Sequence, residues 1–338
     1  MKRKRNIIDS TLVPHTAFMD ATSRIEQCFS YADGSCEPIC IALIGESRTG
    51  KSRVLEECYI KHPKVRSKER LEVPILKVSV QSTPTIKGLA EQMLYSIGDP
   101  LFNVGTENIK AIRLRTLIGN AGTLMIMLDE FQHFYDKKLH KVSFHVTDWL
   151  KILVDDCKVA LVVAGLPTCE AVLAQNEQLV GRFLSPMIMP RFDWKNSMQR
   201  EEFIAILGSF NEALSTQFDL PNLDQQNMAF RCYCATGGLV GYLTKFLRQV
   251  ECNAYYKGAN RIDLEDLMIA HNQAIWTKAS ALSLPSPFSR EFNITPTDKL
   301  LGEVQLIGTP VKEEPKPRKT KSKKVSKRAS VQSVLVAN

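Results

Sequence analysis

Apolar residues fall in short solid runs through the first 195 positions and in a broader, helical rhythm after them. The runs are Ile39–Ile44, Val73–Val80, Leu124–Leu128, Val159–Gly165 and Pro186–Phe192. Runs of strand length that are mostly apolar, interrupted only by Lys77, Ser79 and Arg191, predict strands largely buried on both faces. Helical spacing separates them. Thr16 to about Tyr31 places Phe18, Ile25 and Phe29 on one side, and Val54, Leu55, Cys58 and Tyr59 share a face in the next helix. Further helices are expected at about 85–97, 106–119, 143–156 and 168–183. Asp33-Gly34-Ser35 and His62-Pro63 supply breaks. Strands alternating with helices predict a five-stranded parallel sheet covered by helices on both faces, an α/β fold.

The pattern changes at Asn196. Helical stretches at about 197–216, 224–235, 239–256 and 263–277 follow, with no strand pattern between them. Beyond Trp276, Pro285, Pro287, Pro296, Pro310, Pro315 and Pro317 interrupt any period. From Lys312 the chain is rich in Lys and Ser, a composition expected to be disordered in isolation. The expected organisation is a basic arm over 1–10, an α/β nucleotide-binding core over 11–195 and a helical lid over 196–277. A Pro-containing linker and disordered basic tail over 278–338 would complete it. No internal repeat is visible.

Charge sharpens this division. The net charge is +8, but residues 2–5 carry +4 and residues 312–328 a net +7, which leaves 6–311 at −3. Basic ends on a mildly acidic body predict arms that meet phosphate or an acidic surface; a plain solubilising tail is the alternative. The nine cysteines include no C-x-x-C pair, and Cys58, Cys157 and Cys169 lie in apolar stretches. That usage fits buried reduced thiols better than a zinc site. The basic start runs into Asn6-Ile7-Ile8-Asp9-Ser10 without a secretory apolar core, and no apolar run is long enough to span a bilayer. The expectation is a soluble, cytoplasmic chain with no membrane partner.

The chemistry sits at the end of the first strand. Gly45-Glu46-Ser47-Arg48-Thr49-Gly50-Lys51-Ser52 matches G-x-x-x-x-G-K-S between a strand and a helix. In that context backbone N–H groups wrap phosphates, Lys51 reaches the terminal ones, and Ser52 ligates Mg²⁺. The third run ends in Asp129-Glu130, where Asp129 can hold Mg²⁺ through water and Glu130 can orient the attacking water. ATP and Mg²⁺ are therefore the expected cofactors. His133 could sense nucleotide or simply steady its turn. Three basic clusters are candidates for sequence-neutral phosphate contact: Lys110, Arg113 and Arg115; Lys137, Lys138 and Lys141; and Lys61, Lys64, Arg66, Lys68 and Arg70. Lys110 and Arg113 can share a helix face. Each cluster could equally be solvated surface, and no aromatic residues are interleaved with them, so base stacking is not suggested.

A P-loop core followed by an all-helical lid is the arrangement of AAA+ ATPases. Three segments carry a closer resemblance: Leu128-Asp129-Glu130-Phe131-Gln132-His133, Val163-Ala164-Gly165-Leu166-Pro167 and Gln178-Leu179-Val180-Gly181-Arg182-Phe183. With the opening Val13-Pro14-His15, they resemble the TniB/TnsC family of AAA+ regulators of heteromeric DNA transposition, which includes CRISPR-associated systems. The resemblance covers about residues 11–276. It implies that Arg182 reaches the γ-phosphate of a neighbouring subunit in trans, with Arg191 as a nearby competitor. It also marks two departures. Ala164-Gly165-Leu166 offers no polar side chain where such ATPases often sense the γ-phosphate. Gly241 stands where many members place a nucleotide-sensing arginine, with Lys245 one turn later as a substitute.

These departures fit slow hydrolysis. By resemblance, the expected function is an ATPase regulator that oligomerises as a ring or filament on double-stranded DNA. It would link a TniQ-type target-recognition protein to transposase subunits, with hydrolysis driving disassembly. The alternatives are an AAA+ ATPase of unrelated duty, such as an origin-type loader or a secretion-associated ATPase, and a scaffold that binds ATP without hydrolysing it.

Overall fold

The computed structural model describes residues 6–34, 37, 39–68, 70–136, 141–142, 144–275 and 285–309. Its centre is a five-stranded parallel sheet of β1 (Cys40–Gly45), β2 (Ile75–Ser79), β3 (Met125–Asp129), β4 (Ala160–Gly165) and β5 (Met187–Met189). The spatial order is β2-β3-β4-β1-β5. In register, Ile44 lies beside Gly165 on one side and Ile188 on the other, and Leu128 beside Val163. The ends of β1, β3 and β4 are thereby gathered at one edge of the sheet, where ligands bind in open α/β folds.

Alternation along each strand splits the core into two layers. Ile41, Leu43, Met125, Met127, Val162 and Ala164 pack against α2 (Thr16–Ala32) and α3 (Lys51–Lys61). Cys40, Ala42, Ile44, Ile126, Leu128, Leu161 and Val163 face α4 (Ile86–Ile97), α5 (Glu107–Asn120) and α6 (Phe144–Cys157). Both layers are dry, which is why these strands read as solid apolar runs. The region expected as one short helix at 168–183 divides into α7 (Cys169–Leu173) and α8 (Glu177–Val180), the second capped by the Asn176 side chain. Two-residue antiparallel ribbons join Val65–Arg66 to Leu71–Glu72 and Tyr135–Asp136 to Lys141–Val142.

The lid comprises α9 (Ser197–Ser215), α10 (Gln226–Thr236), α11 (Val240–Lys257) and α12 (Leu264–Ala274). Asn196, whose side chain accepts from Gln199 N–H at 3.2 Å, caps α9. Residues 229–236 of α10 are all buried, so this helix is the lid's axis, and Cys232 and Cys234 both fall inside.

Both ends of the described chain depart from expectation. Residues 6–10 are part of the lid rather than a free arm: α1 (Ile7–Ser10) buries Ile7 and Ile8 in its core. The buried Glu251 carboxylate accepts from Ile7 N–H at 2.8 Å and Ile8 N–H at 3.2 Å, serving the orphan donors of a helix start. At the other end, residues 285–309 are a packed segment rather than a linker. Phe288, Phe292, Ile307 and three residues of α13 (Asp298–Val304), Leu300, Leu301 and Val304, are buried against the lid. The buried Arg231 guanidinium donates to Pro287 and Ser289 carbonyls and lies 5.6 Å from the Phe292 ring centre. The tail expected to be disordered, from Lys312 on, lies outside the described residues.

Candidate nucleotide site

Gly45 closes β1 because β5 leaves no room for a side chain: a Cβ there would stand 2.5 Å from the Met189 carbonyl oxygen. The chain then turns through Arg48 at φ 70° and Gly50 at φ 101°, both left-handed, before Lys51 starts α3. Left-handed residues in such a turn can present backbone N–H groups as an anion cradle. Thr49 braces it, its hydroxyl donating to the Glu46 carbonyl at 2.9 Å. Glu46, Ser47, Arg48 and Ser52 are exposed, while Thr49 and Lys51 are buried.

Lys51 donates to the carbonyls of Gly45 at 2.9 Å and Glu46 at 2.6 Å. Burial lowers its pKa, and Asp129 and Glu130 work against that shift by favouring the charged form. A desolvated cation held by carbonyls, with acids facing it, is suited to receiving phosphate oxygens. Asp129 is buried at the end of β3 and accepts from Glu130 N–H at 2.8 Å. Glu130 itself has φ 58°, left-handed for a non-glycine residue, and its side chain is about half exposed. Backbone strain of this kind costs about 1–3 kcal/mol and gathers at functional sites.

The turn after Glu130 holds Gln132, buried at 6 % exposure. Its Oε1 accepts from Leu166 N–H at 3.0 Å, and its Nε2 donates to the Glu130 carboxylate. His133 Nε2 lies 3.8 Å from the same carboxylate. The Cys169 thiol, pushed up to about 12 chiefly by burial, is an inert neighbour in this layer.

The lid meets the loop directly. Gly241 N–H donates to the Arg48 carbonyl at 2.8 Å, and a Cβ on Gly241 would come within 2.8 Å of that oxygen. Glycine is required there for close approach, so the arginine the resemblance called for has no space. Lys245 is half-buried one turn along the same helix. Arg191 is a second tie, invisible in the pattern. It pairs with Glu46 at 2.6 Å and donates to the carbonyls of Gly237 and Ile307, each at 2.9 Å. Loop, lid and C-terminal segment converge on this one guanidinium.

Arg182 lies elsewhere. Its carbonyl accepts from Cys40 N–H at 2.9 Å, at the start of β1, whereas the phosphate loop follows the end of that strand. The intervening strand spans about 20 Å. Its side chain pairs with Asp155 of α6 at 2.6 Å and with Glu37 at 3.3 Å. It therefore cannot serve its own subunit's nucleotide. Arg191, fully engaged beside its own loop, is not a free arginine for a neighbour.

The first basic cluster is corrected. Lys110 and Arg113 do share a face of α5, but that face points inward. Lys110 is fully buried, joined to Glu91 of α4 and donating to the Asn103 carbonyl at 2.9 Å. Arg113 pairs with Asp99 at 2.8 Å and donates to the Leu101 and Val104 carbonyls. Both fasten the α4–α5 connection and are not available to DNA; Arg115 pairs with Asp156 at 3.1 Å. Lys137 and Lys138 lie outside the described residues, and Lys141 stands opposite Asp136 in its ribbon. In the third cluster Lys61 faces Glu26 at 3.8 Å and Arg70 pairs with Glu72, while Arg66 and Lys68 are exposed. Among the described residues no helix is long and apolar enough to cross a membrane.

A parallel sheet of this order, a phosphate loop after β1 and a helical lid seated on the loop define an AAA+ P-loop fold. The sequence profile of the bacterial TniB protein family matches residues 3–195, and the chain belongs to that family. Solved structures of similar fold include Cdc6p from Pyrobaculum aerophilum, at 13 % identity and TM-score 0.61, over 84 % of this chain and 75 % of that one. The Aeropyrum pernix ORC2 protein, in ADPNP–ADP complexes, matches at 11 % identity and TM-score 0.58, over 83 % and 73 %. Aeropyrum pernix ORC1 in complex with DNA matches at 16 % and 0.54, over 80 % and 69 %. Among curated proteins none matches the chain.

Proposed function

We propose that this chain is an ATP-hydrolysing regulator of DNA transposition. It assembles on duplex DNA as a ring or filament and links a TniQ-type target-recognition protein to the transposase. The observation that carries the ATPase part is the buried Lys51 ammonium, held by loop carbonyls and facing Asp129 and Glu130, beneath a lid seated on the loop.

The residues fit ATP and Mg²⁺. Residues 45–52 cradle the phosphates, with Lys51 on the terminal ones, and Ser52 and Asp129 would hold Mg²⁺, which neutralises charge on the phosphate oxygens when bound. The Glu130 carboxylate accepts the proton of the attacking water. The water oxygen bonds to the γ-phosphorus, and the bridging oxygen leaves with ADP. Arg182 of one subunit serves the site of the next, exchanging Asp155 for the γ-phosphate when subunits stack. Nucleotide in the loop is read by the lid through Gly241 and Arg191, assembly follows, and hydrolysis reverses it. Duplex contact falls to Arg66 and Lys68, the segment of Lys137, Lys138 and Lys141, and the basic tail, since Lys110 and Arg113 are engaged within the fold.

Electron microscopy with duplex DNA and a non-hydrolysable ATP analogue tests the reading. Ordered rings or filaments with nucleotide between subunits and Arg182 beside it are expected. Nucleotide-independent binding of single subunits would overturn it. Mixing tests the shared site: Arg182→Ala and Glu130→Gln subunits, each inactive alone, should recover phosphate release together, at interfaces pairing intact residues.

A further inference from the structure

The end of β4 carries Ala164, Gly165 and Leu166, with no polar side chain to register a γ-phosphate, yet a polar side chain occupies that place. It comes from the neighbouring strand's turn. Gly165 stands beside Ile44, one residue before the phosphate loop. A Cβ on Gly165 would fall 2.3 Å from Gln132 Oε1, so the glycine is what admits the Gln132 amide to this corner.

Both ends of that amide are committed. Leu166 N–H can only donate, so the end it meets at 3.0 Å is the oxygen. The amide nitrogen is then turned toward Glu130, and it donates to that carboxylate. The bridge runs from the β4 backbone to one oxygen of the Glu130 carboxylate. Glu130 needs such a guide: its backbone is left-handed and its side chain about half exposed, so neither packing nor a regular helix fixes it.

We propose that Gln132 is the positioning residue for hydrolysis. It takes over the sensing task absent from β4, fixing the Glu130 carboxylate and coupling it to movement of the β4 end beside the phosphate loop. Gln132 does not touch the reacting atoms; it acts through Glu130. The proposal rests on the ATPase reading above. The charged and titratable groups around the Glu130 carboxylate are Asp129 before it, His133 on the same turn, Lys51 from α3 and Cys169 from α7.

The test uses the full-length protein with duplex DNA, measuring phosphate release and binding of a fluorescent ATP analogue. Gln132→Ala should lower kcat about 10–100-fold, the range for losing a group that orients a working ligand. Analogue affinity should stay unchanged. Gln132→Met keeps the length and bulk but can neither accept from Leu166 N–H nor donate to Glu130. It should lower kcat as far as Gln132→Ala does, with KM for ATP unchanged.

A filler role would leave Gln132→Met at the wild-type kcat and would overturn the proposal, as would a Gln132→Ala enzyme that turns over at the wild-type rate. Should Gln132→Ala fail to bind the analogue, the split of kcat from KM in Gln132→Met decides. Wild-type protein that releases no phosphate on DNA would overturn the ATPase reading, and this inference with it.

Discussion

In the α/β core the parts are joined by backbone ladders between buried strands, whereas the lid meets the phosphate loop through a few polar contacts. The ladders of β1 with β4 and β5 tolerate no slippage, because a one-residue shift would turn Ile41 and Leu43 to the wrong layer. The lid is set on the loop by Gly241 N–H, and by Arg191 reaching Glu46, Gly237 and Ile307. A core fixed by strand register, beside a lid seated on the loop by a few polar contacts, lets those local contacts change without the fold being lost. The difference also locates where mutation should separate function from stability.

The largest expected effect comes from forcing the halves apart. Gly241→Arg inserts a side chain where even a Cβ is 2.8 Å from the Arg48 carbonyl oxygen. It should cost about 3 kcal/mol or open the lid, abolishing tight ATP binding while the core stays folded. Analogue titration alongside circular dichroism separates those outcomes. Unchanged nucleotide affinity would remove the lid from the account.

Glu251→Ala should follow. It strips two buried N–H donors at Ile7 and Ile8 of their partner, costing about 2–3 kcal/mol. The loss should appear as a lower melting temperature and faster hydrogen exchange in residues 6–10. A comparable cost is expected within the core for Lys110→Ala, about 2 kcal/mol, since it leaves Glu91 without its buried partner. DNA affinity of that variant, measured on the folded fraction, should not change; a clear loss would return Lys110 to the DNA-binding surface.

Acidification should have the smallest effect and should act mainly through the lid. His15 packs against Phe192, and His271 sits between Phe246 and Phe288; burial lowers both pKa values from 6.5. The unfolded chain therefore binds protons that the folded chain refuses. Stability from these groups is complete above 6.5 and declines as pH falls through that value toward the lowered folded-state pKa. Melting should occur at a lower temperature at about pH 5 than at about pH 7.5, and replacing His271 with Gln should flatten the dependence.

Reading the chain without its structure reached the core more readily than the lid's seams, for physical reasons. Doubly buried strands advertise themselves as solid apolar runs, and the phosphate loop is local, so β1 through β5 and residues 45–52 were legible. Periodicity also gave α9 through α12, because each buries a broad face. Ile7 and Ile8 are too few to make a period, and the partner that orders them, Glu251, is 244 positions from Ile7. Phe288, Phe292 and Leu300 are spaced by prolines, which mimic a linker although every one of these apolar side chains is buried. The face shared by Lys110 and Arg113 was legible but its direction was not: the acids that claim it, Glu91 and Asp99, belong to α4 and the turn after it. Arg191 stood out only as a competitor to Arg182, and its tie of loop, lid and C-terminal segment was not legible because Glu46, Gly237 and Ile307 are distant in sequence. Gln132 lies in one of the segments that carry the family resemblance, yet only the fold brings it beside Leu166.

The central claim is that nucleotide at this loop drives assembly on DNA and its hydrolysis ends it. Light scattering with duplex DNA and a limited amount of ATP tests it most directly in wild type, Lys51→Ala and Glu130→Gln. The wild-type signal should rise and then decay as ATP is consumed, the Glu130→Gln signal should persist, and Lys51→Ala should give none. A Lys51→Ala protein that assembles as wild type does, with or without ATP, would contradict it.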